Sequence, residues 1–362
     1  MAKLSRLKTA FVIDDLGFGG AQRQLSILVE ALARAGEPRV FCLSQSTRPY
    51  AERIRAAGVE VVVAPRFRGF DLRRLNYLTR ALDDMDIDVV HGFLDAANVY
   101  AWTAARQSGR PCVLSLRNER LRLTGFRRWM LCLALRRADF VIANSKAGRR
   151  FLIDDMSIPR ERVTVVPNAV PASSLSHPLS APESPVIGFV GRLDPQKRVG
   201  LLVDAFALVA ADLPRARLVI VGAGPEQSSL VDRVGQLGIQ DLVQFTGLVE
   251  DVYQRMAGFS CLALPSAYEG FPNVAMEAVG MGVPVVATPV GDVEDIVLDG
   301  RTGYLITERS PRALADLLVR AVTDKGLRQR TSQEGPALVK ADYSVDSAVD
   351  KLMPVYEKVL SQ

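Results

Sequence analysis

Short runs of apolar, largely β-branched residues recur along the chain. Between them, apolar residues return every three or four positions. In the first half the runs fall at residues 10–14, 39–43, 59–63, 88–91, 112–116, 140–143 and 163–166. A stretch such as 21–35, with Leu25, Leu28, Val29 and Leu32 at helical spacing, predicts a helix between two of them. The runs show almost no polar alternation, so each strand is buried on both faces, which predicts a parallel sheet covered by helices on either side. The rhythm stops at 169–185, a Pro- and Ser-rich stretch with no period, and restarts with runs at 186–190, 217–221, 243–245, 260–264, 283–287 and 303–306. The pattern therefore predicts two doubly wound, Rossmann-like α/β domains facing across a cleft. The expected boundaries are 1–170, a linker at 171–185, 186–345, and a terminal helix at 346–362 that packs back towards the first domain. In that helix Val349, Leu352, Met353 and Tyr356 share one face.

Composition narrows the chemistry. The four cysteines, Cys42, Cys112, Cys132 and Cys261, are scattered and form no C-x-x-C pair, which reads as core thiols. Two histidines in the whole chain, His91 and His177, argue against a histidine metal centre. The opening residues carry no signal-like apolar region and no apolar run is long enough to cross a bilayer, so the expectation is a cytoplasmic protein. A net charge of +5 fits anionic partners such as nucleotides or a membrane surface. No recognisable nucleic-acid module accompanies that charge, and nucleic acid is not an expected partner.

Ligands of doubly wound sheets bind at the carboxyl ends of the strands, so the strand-to-helix loops are the place to look. The strongest cluster is 266–288. A buried strand ends in a loop with Glu269, Gly270, Phe271, Pro272 and Asn273, and a helix follows that carries Glu277 about a turn inside it. Free amides at a helix start, with the helix dipole behind them, suit an anion. Two carboxylates nearby suit vicinal hydroxyls. A second cluster, 186–206, runs from a strand into Gly191 and Arg192, with Lys197 at the head of a helix. Two cations there suit a diphosphate. A third glycine-rich turn, Gly222-Ala223-Gly224, lacks the third glycine of a dinucleotide fingerprint, since Gln227 occupies that place.

G-R-L-x-x-x-K, V-G-x-G-P and E-G-F-P-N-x-x-x-E, in this order, resemble the second half of family 4 retaining glycosyltransferases of the GT-B fold. Glu269 and Glu277 match that family's E-x7-E motif. V-V-P-N-A-V at 165–170 resembles its domain junction, and D-Y-S followed by Y-E-K-V-L its terminal helix. G-F-G-G-A-Q-R-Q at 17–24 and D-V-V-H at 88–91 resemble the first domain's glycine-rich loop and histidine strand. The resemblance implies a metal-independent hexosyl- or N-acetylhexosaminyltransferase that uses a UDP-sugar or GDP-mannose and needs no cofactor. Its acceptor would be a polysaccharide or lipid-linked glycan of the cell envelope. It implies that Arg192 and Lys197 hold the donor diphosphate, and that Glu277 binds ribose. Glu269 and the amides of the Gly270–Asn273 loop would hold the sugar and phosphate, with Glu269 and His91 as catalytic groups. Gly19 and Gly20 would let the first domain's loop approach the phosphate. Many members carry H-x-H on the first-domain strand, whereas this chain reads His91-Gly92-Phe93.

Some residues read two ways. His91 also fits a satisfied core histidine. Asp84, Asp86 and Asp88 spell D-x-D twice, but they precede a strand, at the end of a sheet opposite its ligands. Residues 117–137 carry seven arginines, from Arg117 to Arg137, against Glu119, with Phe126 and Trp129 interleaved. That pattern fits a helix lying on an anionic membrane, and equally a core helix burying Met130, Leu131, Leu133 and Leu135 beneath a solvated basic face. Rival functions are a dinucleotide-dependent oxidoreductase, resting on glycine turns alone, and a non-catalytic GT-B homologue.

Overall fold

The computed structural model describes residues 7–65, 71–117, 124–177, 179 and 183–362. The chain forms two compact units. One comprises Met1–Ala169 with Val345–Gln362, the other Val170–Ser344.

The first unit alternates strand and helix: β1 (Lys8–Ile13), α1 (Gly20–Leu32), β2 (Glu37–Cys42), α2 (Tyr50–Ala56), β3 (Glu60–Val63), α3 (Leu72–Asp84), β4 (Val89–Phe93), α4 (Asp95–Gln107), β5 (Cys112–Leu116), α5 (Gly125–Arg137), β6 (Phe140–Ala143), α6 (Lys146–Arg150) and β7 (Val163–Val165). The second continues with β8 (Val186–Val190), α7 (Val199–Asp212), β9 (Arg217–Val221), α8 (Gln227–Gln236), β10 (Val243–Gly247), α9 (Val252–Met256), β11 (Cys261–Leu264), α10 (Asn273–Gly280), β12 (Val285–Ala287), β13 (Gly303–Leu305), α11 (Pro311–Thr323) and α12 (Lys325–Tyr343). The last helix, α13 (Val345–Leu360), returns to the first unit.

Both sheets are parallel, in the orders β3-β2-β1-β4-β5-β6-β7 and β10-β9-β8-β11-β12-β13. These are the two doubly wound, Rossmann-like domains that the apolar runs predicted, and each run falls on a strand. Every residue of β4, β5, β6 and β11 is buried, as strands covered on both faces must be.

Two details differ from the sequence expectation. The stretch at 171–185 is not a plain connector: Ala172–Leu175 forms a 3-10 turn, and Leu175 and Leu179 pack on the core of the second unit. On α13 the buried residues are Ala348, Leu352, Val355, Tyr356 and Val359, with Val349 and Met353 only partly covered. The face is rotated because the helix packs among Phe11, Ile13, Leu25 and Val29, so positions three and four apart along that seam go inward.

Candidate active site

In a doubly wound sheet the loops diverge where strand order reverses, and ligands sit at that switch point. In the second unit the reversal lies between β8 and β11. The loop after β8 leans on the loop after β9. Gly191 N donates to Val221 O at 3.0 Å, Leu193 N to Ala223 O at 3.1 Å, and Glu226 N to Leu193 O at 3.0 Å. Gly222 makes the approach possible: its φ is +132°, and a Cβ there would run into the Gly191 carbonyl oxygen. The loop after β11 is stitched to the same segment. Ala267 N donates to Gln196 O at 2.8 Å, and Gln196 Nε2 to Tyr268 O at 2.9 Å. The glycine turn at 222–224 thus serves this cradle.

The cradle gathers the charged residues that the motifs singled out. Lys197 Nζ pairs with Glu269 Oε1 at 2.6 Å, with side chains only 16% and 7% exposed. Glu277 lies in the second turn of α10 and is 2% exposed. Arg192 is 61% exposed, and its Nη2 meets Asp194 Oδ2 at 2.8 Å. Each of the two cations expected here holds a carboxylate of the chain. Pro272 sits just before α10, which begins at Asn273. Gly270 is partly buried beside it, and the Phe271 ring turns into the core against Tyr343, with centroids 5.7 Å apart. Only the backbone of Phe271 can therefore serve a ligand.

In the first unit the order reverses between β1 and β4. The loop after β1 is drawn together by Asp15 Oδ1, which accepts from Gly17 N at 2.9 Å and Gln22 Nε2 at 3.1 Å. Gly20 opens α1. Gly19 has an extended φ of 178°, and a Cβ there would meet only the flexible tip of Gln22, so its backbone does not demand glycine. Asp14 was not a sequence candidate. It follows β1 directly, and its Oδ1 accepts from Ala97 N at 2.6 Å, fixing the start of α4. Burial, reinforced by Asp95 and Asp15, raises its pKa to about 6. An acid placed immediately after the first strand was the signal available for it.

His91 requires a correction. It lies in the middle of β4, not at its end, registered between Phe11 and Val113. It is fully buried, with Nδ1 2.7 Å from Tyr356 Oη and Nε2 2.8 Å from Ser115 Oγ. Burial and the neighbouring Arg117 push its pKa well down. A buried, neutral ring with both nitrogens engaged matches the satisfied core histidine that the sequence also allowed.

Arg117 also leaves its expected place. It follows β5, donates from Nη1 to Asn168 Oδ1 at 2.9 Å, and lies 4.0 Å from the centroid of the Phe93 ring. Desolvation lowers its pKa to about 9. Residues 118–123, with Arg120 and Arg122, lie outside the described residues. In α5 the buried positions are Leu131, Ala134 and Leu135, whereas Met130 and Leu133 are partly covered. Its first turn is exposed: Phe126 and Trp129 are 67% and 58% exposed and stacked with centroids 5.7 Å apart, beside Arg127 and Arg128.

Asp86 and Asp88 lie just before β4, at the amino ends of the strands of the first sheet. Asp86 pairs with Lys8, and Asp88 accepts from the Lys8 backbone at the start of β1. Among the described residues no three His, Cys, Asp or Glu side chains are grouped to hold a metal ion, and no helix is long and apolar enough to cross a membrane.

Comparison with known proteins matches two family models, described as Glycosyltransferase Family 4 over residues 18–174 and Glycosyl transferases group 1 over residues 184–324. The chain is 26% identical over 297 residues to alpha-D-kanosaminyltransferase of Streptomyces kanamyceticus, covering 75% of this chain and 77% of that one. It is 24% identical over 364 residues to a Campylobacter jejuni enzyme, N-acetylgalactosamine-N,N'-diacetylbacillosaminyl-diphospho-undecaprenol 4-alpha-N-acetylgalactosaminyltransferase, covering 95% and 98% of the two chains. Among solved structures, HepE of Anabaena superimposes with a TM-score of 0.86 in complex with UDP, at 21% identity over 97% of this chain and all of that one. In complex with UDP-glucose its TM-score is 0.85, at 22% identity over 99% of this chain and all of that one. The two models span most of the chain, and their boundary falls between its two sheets. The chain belongs to the family 4 glycosyltransferases of the GT-B fold.

Proposed function

We propose that this glycosyltransferase is a retaining, metal-independent enzyme that transfers a sugar from a UDP-sugar or GDP-mannose to a polysaccharide or lipid-linked glycan. The observation that carries the reading is the shielded Lys197–Glu269 pair at the switch point of the second unit, with Arg192 on the first of these loops and Glu277 in the helix that follows the second. Arg192 and Lys197 take the diphosphate, Glu277 the ribose hydroxyls, and Glu269 with the loop amides at 270–273 the sugar. In the reaction the bond from anomeric carbon to phosphate oxygen breaks, and a bond to an acceptor oxygen forms on the same face. The acceptor proton passes to the leaving diphosphate. The two cations then stabilise the departing charge, a preorganised electrostatic effect.

The complexes of HepE with UDP and UDP-glucose support a uridine donor, and the undecaprenol-linked substrate named for the Campylobacter enzyme supports a lipid-linked acceptor. The exposed Phe126–Trp129 stack favours a second element of the reading, that α5 rests on the anionic inner face of a membrane carrying such an acceptor. Thermal-shift titration with UDP, GDP, ADP and UDP-sugars, with and without chelator, tests the donor site. A nucleoside diphosphate at a hundredfold its dissociation constant should stabilise by about 2.7 kcal/mol without metal. A strict requirement for manganese would overturn the metal-independent reading.

A further inference from the structure

Both cations assigned to the diphosphate are already held by carboxylates of the same unit, and the two holds differ. The Lys197–Glu269 pair is shielded, whereas Arg192 is 61% exposed and among the described residues pairs only with Asp194, two residues on. Asp194 shapes its loop through its backbone, whose carbonyl accepts from Lys197 N at 2.9 Å, and among the described residues its side chain makes no hydrogen bond to that loop's backbone. The loop is fixed by backbone bonds from Leu193 N to Ala223 O, Glu226 N to Leu193 O and Ala267 N to Gln196 O. Of the Asp194 carboxylate, Oδ2 meets Arg192, while Oδ1 is buried and accepts no hydrogen bond among the described residues. A carboxylate held with half its acceptor capacity unused is poorly accommodated. It stands where it competes with any anion for the same guanidinium.

We infer that Asp194 is an affinity-setting residue of the donor site, a counter-ion that the phosphates displace from Arg192. It rests on the donor-site reading above and adds to it a residue that does not itself touch the donor. A phosphate offers Arg192 two parallel hydrogen bonds where the single Asp194 oxygen offers one, so the exchange favours the diphosphate. The competing pair lowers the net gain. The consequence for selectivity is that ligands without phosphates, which do not reach Arg192, are indifferent to Asp194.

The test is calorimetric titration of UDP into wild type, Asp194→Asn, Arg192→Gln and the double variant, with melting of each protein alone to establish folding. Asp194→Ser serves as the second substitution should Asp194→Asn fail to fold. For a pair this exposed, removing the competitor should tighten UDP by about two- to fivefold. The gain should vanish in the Arg192→Gln background and shrink as salt screens the pair. Unchanged or weaker UDP binding by Asp194→Asn overturns the inference. So does an equal gain with and without Arg192, which would mark a diffuse charge effect. If neither UDP, GDP nor ADP binds wild type, the donor-site reading falls and the exchange with it. If UDP binds and only the Asp194 effect is missing, the donor site stands and the exchange alone is lost.

Discussion

Lys197 and Glu269 come from loops 72 residues apart and meet in a site from which water is largely excluded. A charge shielded in this way is screened less than one in water, and in the proposed reaction it faces the charge that develops on the leaving diphosphate. Glu277 lies deeper along α10, and the proposed reading gives it the nucleotide end of the donor. Glu277→Ala should therefore weaken UDP binding by about 1.5–3 kcal/mol, the cost of losing a charged acceptor. Glu269→Ala should cut turnover of the sugar donor without weakening UDP. Calorimetry and initial rates separate the two, and unchanged values in both variants would mark the carboxylates as structural. Asp14 gives a prediction in pH. Its pKa is about 6 in the folded chain against 3.8 for the free side chain, so between those values the folded state keeps a proton that the unfolded chain has lost. Stability should fall as pH rises from about 4 to 6 and stay level above, the ionised form costing about 2–3 kcal/mol. Asp14→Asn keeps an oxygen for Ala97 N, so it should raise the melting temperature at pH 7–8 and flatten that slope. A variant less stable than wild type at pH 8 would show that the charge itself holds α4.

At the level of elements, α5 separates two properties that its sequence mixes. Its inner side, Leu131, Ala134 and Leu135, joins the core of the first unit as an ordinary sheet-covering helix does. Its first turn presents stacked aromatic rings and two arginines that no fold requirement explains. Each such arginine near anionic lipid contributes about 1 kcal/mol, and interfacial aromatics add anchoring at the headgroup level. Co-sedimentation should show binding to anionic vesicles at low salt and little to neutral ones. Replacing Phe126, Arg127, Arg128 and Trp129 with Ser should abolish it. Wild type that ignores anionic vesicles would make this turn a solvated surface, and equal binding by the variant would move the contact elsewhere.

On the scale of the whole molecule, α13 closes the core of a unit whose other residues end at Ala169. It contributes Ala348, Leu352, Val355, Tyr356 and Val359, and Tyr356 Oη meets His91 on the central strand β4. Burying such side chains stabilises by about 1.5–3 kcal/mol each, and their sum rivals the about 5–15 kcal/mol by which whole domains are stable. A chain truncated before Val345 should therefore lose the fold of the first unit and keep that of the second. Limited proteolysis with mass spectrometry reads this directly: rapid cleavage before residue 170 beside a resistant fragment from about 170 to 344. Equal resistance of both segments would show that the first unit closes its core without α13.

The sequence alone determined the alternation of strands and helices, because strands buried on both faces must be apolar throughout, and it marked out the loops after β8, β9 and β11 that the fold brings together. Gly222 was legible as part of a glycine turn, and Glu269 and Glu277 as paired acids at a helix start, since local backbone and spacing dictate both. Only the tertiary structure decided who meets whom. Lys197 belongs to Glu269 and Arg192 to Asp194, Tyr356 and Ser115 take both nitrogens of His91, and Arg117 packs over the Phe93 ring. Those pairings join residues far apart in the chain or choose among several nearby charges. Burial and desolvation settle that choice, and both exist only once the sheets are packed.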